Sequence, residues 1–317
     1  MYPTLGTDPE KLIRDQDGNP VPAHKFFPRQ ESALEDKAGY FKLYRDGYML
    51  EASVTPNYCR AWVIANVCEA FERAKGLLPE GYTLDSTPAV KIDLRFLDEP
   101  GTPGDVSLFG CSPSINAYTM EQQIPAIDAR THEWRYGGTH MHCGMTYELA
   151  KRKAPWFLDQ MNQILLVKMW DRYLGVPLTA SMDCPEQYLR RQWYGKAGEF
   201  RFQHYDNETF GVEYRTPSQI FNNYGIASWS FGIFRWVWEN FEYLKPRWDI
   251  GREEATRYAI NTGDGLMKLV EAVPGYYSAV TVRGMRELPL QKFVLSGYNR
   301  VWEWGWNEWA KEHRLKY

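Results

Sequence analysis

Reactive side chains occur in pairs, two residues apart, in three distant parts of this chain. This spacing constrains the fold more than any other feature. The pairs are Asp8 and Glu10, His140 and His142, and Glu213 and Arg215. In an extended strand, residues i and i+2 point to the same face. Each pair therefore predicts a strand that presents two functional groups on one side.

The histidine pair lies in a glycine-rich segment, Gly137-Gly138-Thr139-His140-Met141-His142-Cys143-Gly144. Glycine lets other groups approach the backbone closely. Two imidazoles on one strand face suit a metal ion or a polyphosphate. The alternative is a pair of half-buried polar residues on an ordinary strand, which the motif alone does not exclude.

The third pair follows a stretch that is rich in cations, glycine and aromatic residues, residues 190–201. Its four cationic side chains are Arg190, Arg191, Lys196 and Arg201. Guanidinium groups suit the bidentate binding of phosphate or carboxylate. Two structural explanations stay open, namely an ion pair between Glu213 and Arg215 and a solvated charged loop.

Two carboxylates, Asp8 and Glu10, lie at strand spacing near the N-terminus, and Glu51 lies in the next predicted hairpin. Carboxylates that converge on one place repel each other unless a cation neutralises them. Mg²⁺ and Mn²⁺ prefer oxygen ligands, with an occasional imidazole. Taken singly, Asp8 also suits a turn cap and Glu51 an exposed strand position.

The remaining pattern predicts an α+β fold. Residues 39–55 read as a hairpin around an Asp46-Gly47 turn, and residues 88–98 alternate as a strand does. Apolar residues at helical spacing predict four helices, over residues 57–78, 154–175, 218–244 and 253–273.

Composition narrows the classes of protein that fit. The net charge of −3, with both signs mixed, argues against nucleic acid as the default partner. The five cysteines are widely spaced and form no CxxC pair, which argues against a disulfide framework or a thiolate zinc site. No apolar run approaches the length of a membrane span. We therefore expect a soluble, unexported, cytoplasmic protein.

The order of the motifs resembles a known family. GTDPE, DGYMLEAS, GGTHMHCG, YGKAGEFR and GVEYRTPS follow one another over about residues 5–220. This succession is similar to the phage-encoded COOH-NH2 ligases of the glutamine synthetase fold, typified by phiEco32-like phages. The resemblance implies one catalytic domain over residues 1–317, with a curved, largely antiparallel sheet and helices on its convex face. Residues from about 220 to 317 would form a helical C-terminal part, in which no motif is recognised.

The resemblance also implies roles for individual residues. Glu10 and Glu51 would bind one divalent ion, Mg²⁺ or Mn²⁺, and His140 and Glu213 a second, with Asp8 in support. His142 would contact the ATP phosphates, and Arg215 would bind the acyl phosphate or the substrate carboxylate. The charge on the transferring phosphoryl group would be neutralised by Arg191, Lys196 and Arg201.

The implied activity is ATP-dependent amide formation through an acyl phosphate, from a small-molecule or peptide carboxylate and an amine. A guanidino-type phosphotransferase of the same fold and a catalytically inactive phage structural protein are the alternatives.

Ser112 and Ser114 occupy positions where relatives are expected to carry acidic residues, so substrate recognition by this segment stays open. Asn116 and Tyr118 are candidates for lining the pocket. Nucleic acid would enter only as a modified-base substrate, and the oligomeric state stays open. A phage-encoded protein would act in the cytoplasm of the infected host.

Overall fold

An 11-stranded antiparallel sheet carries most of the residues singled out above. The structure is a computed structural model that describes residues 3–107, 113–123, 128–182 and 184–271. The strands in these ranges are β1 (Thr4–Arg14), β2 (Pro20–Val21), β3 (Leu34–Glu35), β4 (Phe41–Asp46), β5 (Met49–Val54), β6 (Thr83–Asp85), β7 (Ala89–Lys91), β8 (Ser114–Asn116), β9 (Gln122–Gln123), β10 (Trp134–Tyr136), β11 (Thr139–Thr146), β12 (Glu199–His204) and β13 (Thr209–Tyr214).

Among the described residues, the main path of the sheet runs β3-β4-β5-β1-β11-β13-β12-β8-β9 and does not close. Strand β1 is central, because its first half pairs with β11 and its second half with β5, β6 and β2. Strands β7 and β10 form a separate two-stranded sheet. The predicted α+β class with a largely antiparallel sheet is confirmed.

Helices cover one face of this sheet. They are α1 (Arg60–Leu77), α2 (Tyr147–Lys153), α3 (Gln160–Trp170), α4 (Val176–Ser181), α5 (Pro185–Trp193), α6 (Tyr224–Glu239), α7 (Phe241–Leu244), α8 (Glu253–Thr262) and α9 (Leu266–Glu271). Helix α1 buries a regular stripe that includes Val63, Val67 and Phe71. Helix α6 is apolar on almost every side and lies in the interior.

The main core lies between these helices and the apolar face of the sheet. Tyr214 of β13 contributes its ring to it, 5.6 Å from Trp170 of α3, and Trp170 stacks on Phe234 of α6 at 4.1 Å. The sheet alternates, so the residues on either side of Tyr214 point the other way. Packing of the helices on one face therefore leaves Glu213 and Arg215 on the opposite face.

Several expected elements differ from the structure. The helix predicted over 218–244 is observed as α6 and α7, which are separated at Asn240. Only Ala89–Lys91 of the predicted strand 88–98 is extended, because Asp93 accepts a hydrogen bond from the Arg95 amide and starts a short helical turn. The helix expected to end at Gly175 continues through a wide turn, Asp171–Gly175, into α4. Gly263, in the left-handed region at φ +89°, divides the predicted helix 253–273.

Candidate active site

Pairing across four strands places several of the predicted residues on the face opposite the main core. Gly6 lies opposite His142, His142 opposite Glu213, and Glu213 opposite Arg201. Directly paired residues of neighbouring antiparallel strands point to the same face. One row of the sheet thus carries a glycine, an imidazole, a carboxylate and a guanidinium from segments nearly 200 residues apart.

A second and a third row run parallel to the first. Asp8 lies opposite His140, and Glu10 lies opposite Glu51. Because β1 changes partner after Pro9, the two carboxylates of one strand meet different neighbours. Asp8 faces the histidines, whereas Glu10 faces the acidic hairpin β4–β5.

The carboxylate of Asp8 lies between the two histidines. Its Oδ1 is 3.1 Å from Nδ1 of His140, and its Oδ2 is 3.1 Å from Nε2 of His142. Burial raises the pKa of Asp8, but the two imidazoles outweigh burial and hold it below the ordinary value. Burial and Arg215 lower the pKa of His140, while Asp8 overcomes burial and raises that of His142.

Glu10 and Glu51 form an acidic cluster with Asp46, the last residue of β4. Their ligand oxygens lie within 4.8 Å of one another. Burial, followed by repulsion from Asp46, raises the pKa of Glu10 to about 8, although the Gly138 amide donates a 2.7 Å hydrogen bond to it. Burial and neighbouring acids also raise the pKa of Glu51 well above its ordinary value. The cluster therefore resists full ionisation unless a cation is bound.

Glu213, by contrast, is surrounded by cations and is 1% exposed. Arg215 donates a short hydrogen bond to it, Arg201 lies 3.4 Å away, and Nδ1 of His140 lies 3.4 Å away. Burial alone would raise the pKa of Glu213, but Arg215 and the imidazoles lower it to about 2. This carboxylate stays ionised throughout the physiological range.

Arg215 connects Glu213 with a further buried acid, Glu199. Its Nε lies 3.4 Å from Glu199 Oε1, which also accepts a 2.8 Å hydrogen bond from Ser114. The Lys196 amide donates to the other oxygen of Glu199 at 3.1 Å, and the Lys196 side chain is half-buried. Ser114 thus helps to fix Glu199, which in turn contacts Arg215. Ser112 lies outside the described residues.

The two consecutive arginines of α5 point to different places. Arg191 donates to the Ile260 carbonyl at 2.5 Å and to Thr179 Oγ1 at 2.8 Å, within the helical layer. Arg190 donates to the carbonyls of Thr216 and Pro217 at 3.3 and 3.1 Å, and so holds the chain that follows Arg215. The structure does not bring Arg191 to the carboxylate array, where Arg201 and Arg215 lie.

The segment expected to line a pocket is only partly described, from residue 113 onward. Asn116 donates to the Ala197 carbonyl at 2.9 Å and accepts from the Tyr118 amide at 2.9 Å. It stabilises the turn before β12. Cys143 lies on the core face, is 0% exposed, and has a thiol pKa raised by burial, in keeping with a packing residue.

Asp46, Glu199 and Gln203 join the site without having been singled out from the sequence. Gln203 donates a short hydrogen bond to Glu213. A strand-spacing signal existed for two of them, since Glu199, Arg201 and Gln203 alternate along β12. Asp46 was not singled out because an Asp-Gly pair also favours a turn. In the structure Asp46 both precedes the turn and belongs to the acidic cluster.

A sequence model of the family described as "Phage phiEco32-like COOH.NH2 ligase-type 2" matches residues 157–276. Over this stretch the chain is similar to that ligase family. The match contains Arg191, Lys196, Arg201, Glu213 and Arg215. It reaches well beyond residue 220, where no motif had been recognised. The paired strands of the sheet connect this stretch with Asp8, Glu10, Glu51, His140 and His142.

Solved structures are similar to this chain at low sequence identity. A bifunctional glutathione synthetase from Pasteurella multocida is 11% identical, with a TM-score of 0.53 over 99% of this chain and 49% of that one. This chain therefore spans about half of that protein. The complex of the prokaryotic ubiquitin-like protein Pup and its ligase PafA gives 8% identity and a TM-score of 0.45, over 98% and 66% of the chains. No curated protein matches. None of the helices in the described ranges is long and apolar enough to cross a membrane.

Proposed function

We propose that this chain is an ATP-dependent carboxylate-amine ligase. One observation carries the proposal: a single sheet face gathers acids, imidazoles and guanidiniums into two adjoining groups of opposite character. One group is the acidic cluster of Glu10, Asp46 and Glu51. The other is Glu213 with its cations, and Asp8 and His140 lie next to it. Such a face suits a polyphosphate bound together with divalent cations.

The chemistry explains why both groups are needed. A carboxylate does not react with an amine directly, because its oxygen is a poor leaving group. In the proposed first step, the substrate carboxylate oxygen attacks the γ-phosphorus of ATP, and the bond to ADP breaks. An acyl phosphate results. The amine then attacks the acyl carbon, phosphate leaves, and the amine loses a proton as the amide forms.

The residues present fit two Mg²⁺ or Mn²⁺ ions. Glu10 and Glu51 offer two buried carboxylates and Asp46 a half-buried one, and a hard cation relieves their mutual repulsion. Asp8, His140 and Glu213 offer two carboxylates and an imidazole, a donor set that also suits such an ion. Bound there, the ions would neutralise charge on the phosphate oxygens.

The cationic side chains take the remaining roles in the proposal. Arg201 and Arg215, both beside Glu213, would bind the transferring phosphoryl group and the substrate carboxylate. His142 would contact the ATP phosphates, and Lys196 would add a charge near Arg215. Arg191 would act from a distance, because its hydrogen bonds tie α5 to α4 and α8.

The proposal specifies the chemical classes of the two substrates. A small-molecule or peptide carboxylate would bind near Arg215, and an amine would approach the acyl carbon from the open side of the sheet. The carboxylate and amine that react are to be found by screening.

Calorimetric titration with ATP tests the proposal, with and without Mg²⁺. The wild type, Glu213→Ala and the exposed control Glu208→Ala are compared. We expect Mg²⁺-dependent ATP binding in the wild type and the control, and its loss in Glu213→Ala. Phosphate release is then screened over carboxylate-amine pairs. A wild type that binds no nucleotide at millimolar concentration would contradict the proposal.

A further inference from the structure

Tyr194 follows helix α5 and lies beside His140 and Arg215 of the candidate site. It is 6% exposed. Its hydroxyl forms a short hydrogen bond with Nε2 of His140. Two guanidiniums lie over its ring, with Arg190 at 4.6 Å and Arg215 at 5.3 Å from the ring centroid. One side chain thus contacts a histidine and an arginine to which the proposed function gives separate tasks.

The hydroxyl controls which nitrogen of His140 faces the acids. With Nε2 bonded to Tyr194, Nδ1 lies 3.1 Å from Asp8 and 3.4 Å from Glu213. A tyrosine hydroxyl both donates and accepts hydrogen bonds. It can therefore donate to an unprotonated Nε2, and it can accept from Nε2–H when Nδ1 has no proton. The ring plane of His140 stays the same in both forms.

The aromatic ring also contacts the guanidinium of Arg215. Arg215 binds Glu213 and Glu199 through hydrogen bonds, and the face of Tyr194 attracts its positive charge. Arg190 lies over the same ring and is fixed by backbone carbonyls. Because Tyr194 contacts both Arg215 and His140, it links the positions of these two side chains.

We propose that Tyr194 is a positioning residue of the ligase site. Its hydroxyl orients His140 for a divalent cation, and its ring orients Arg215 for a phosphate or carboxylate. This inference rests on the proposed function. Removal of a side chain that hydrogen-bonds a metal-binding histidine commonly weakens metal binding by about 10- to 100-fold.

Two substitutions separate the hydroxyl from the ring. Tyr194→Phe removes only the hydroxyl, and Tyr194→Leu also removes the ring. Tyr173→Phe is the matched control, since Tyr173 lies beside Trp236, in the helical layer. Free Mn²⁺ is titrated by electron paramagnetic resonance with the full chain of each variant, and ATP binding is then measured at saturating Mn²⁺.

We expect Tyr194→Phe to weaken Mn²⁺ binding by about 10- to 100-fold while its melting temperature stays close to that of the control. Tyr194→Leu should in addition weaken ATP binding at saturating Mn²⁺. In metal-free protein, the ¹⁵N signal of His140 Nε2 should shift in Tyr194→Phe and not in Tyr173→Phe.

Wild-type Mn²⁺ affinity in Tyr194→Phe, or an unshifted Nε2 signal, would overturn the role of Tyr194 and leave the ligase proposal standing. A wild type that binds neither Mn²⁺ nor ATP would overturn the ligase proposal itself, and this inference with it. Equal losses in Tyr194→Phe and Tyr173→Phe would mean a general loss of folding and would also overturn the positioning role.

Discussion

At the scale of single residues, neighbouring carboxylates of this sheet face have opposite electrostatic environments. Glu213 has a pKa of about 2 because Arg215 and the imidazoles outweigh burial. Glu10 has a pKa of about 8 because burial and Asp46 outweigh its hydrogen bond to Gly138. Both side chains are almost fully buried, so the difference comes from their partners. One acid is satisfied by the protein alone, and the other needs a proton or a cation.

The raised pKa of Glu10 predicts how the stability of the metal-free protein depends on pH. The ordinary pKa of 4.5 applies in the unfolded chain and about 8 in the folded one, so between these values the folded state binds the extra proton. This contribution to stability is complete below about pH 4.5 and is lost as pH rises through about 8. The free energy of unfolding of the wild type, measured with urea in EDTA, should therefore contain a contribution that decreases as pH rises through this window.

Glu10→Gln should lack that component, because glutamine does not titrate. The exposed control Glu80→Gln should retain it, so the comparison between the two variants isolates Glu10 from other titrating groups such as Lys11, whose pKa burial lowers to about 7. Parallel stability–pH curves for Glu10→Gln and the wild type would mean that Glu10 is already ionised in the folded protein near neutral pH.

At the scale of elements, strand spacing predicted more of the site than helix spacing did. Glu213 lies on β13 and Arg215 directly after it, and they share a face because they are two residues apart, with Tyr214 buried between them. The direction of Arg191 on α5 depends on what packs around that helix, which a motif does not reveal. Asp46 pairs with Met49 in the predicted hairpin, and only the pairing of β5 with the distant β1 brings this hairpin to Glu10.

Strand β13 also gives a prediction about close backbone approach. A Cβ on Gly211 would lie 2.1 Å from the Cys143 carbonyl oxygen and 2.9 Å from the Gly144 Cα, so β11 and β13 would have to separate. Gly211→Ala should destabilise the protein by about 1–3 kcal/mol, in the range of overpacking, and displace Glu213 from His142. Thermal unfolding and Mn²⁺ binding measure the two effects.

Gly76→Ala is the matched control, because it places the same methyl group in helix α1 with no heavy atom within 4 Å. Alanine is the better helix former, and we expect a gain of up to about 1 kcal/mol. If Gly211→Ala were as stable as the wild type and bound Mn²⁺ equally well, the pairing of β11 with β13 at this position would be wrong.

At the scale of the whole molecule, the sheet separates two kinds of packing. The helical face is stabilised by buried apolar side chains such as Trp170, Phe234 and Tyr214. The opposite face buries charged groups whose desolvation is costly unless they are paired. The acidic cluster lies beside β1, the strand that joins both halves of the sheet. A cation that relieves the repulsion among the carboxylates of this cluster should therefore stabilise the whole folded chain.

Mn²⁺ should accordingly raise the melting temperature of the full chain. A ligand that binds only the folded state stabilises it by about 2.7 kcal/mol at one hundred times its Kd, so the shift should grow with the logarithm of Mn²⁺ concentration. Glu51→Gln replaces one carboxylate of the cluster by a neutral amide, a weaker ligand, and should reduce the shift, whereas the exposed Glu31→Gln should not. ATP should raise the temperature further only when Mn²⁺ is present, because without the cation its phosphates would face Glu10, Asp46 and Glu51 unshielded. An equal rise with ATP alone would indicate a nucleotide site away from this cluster.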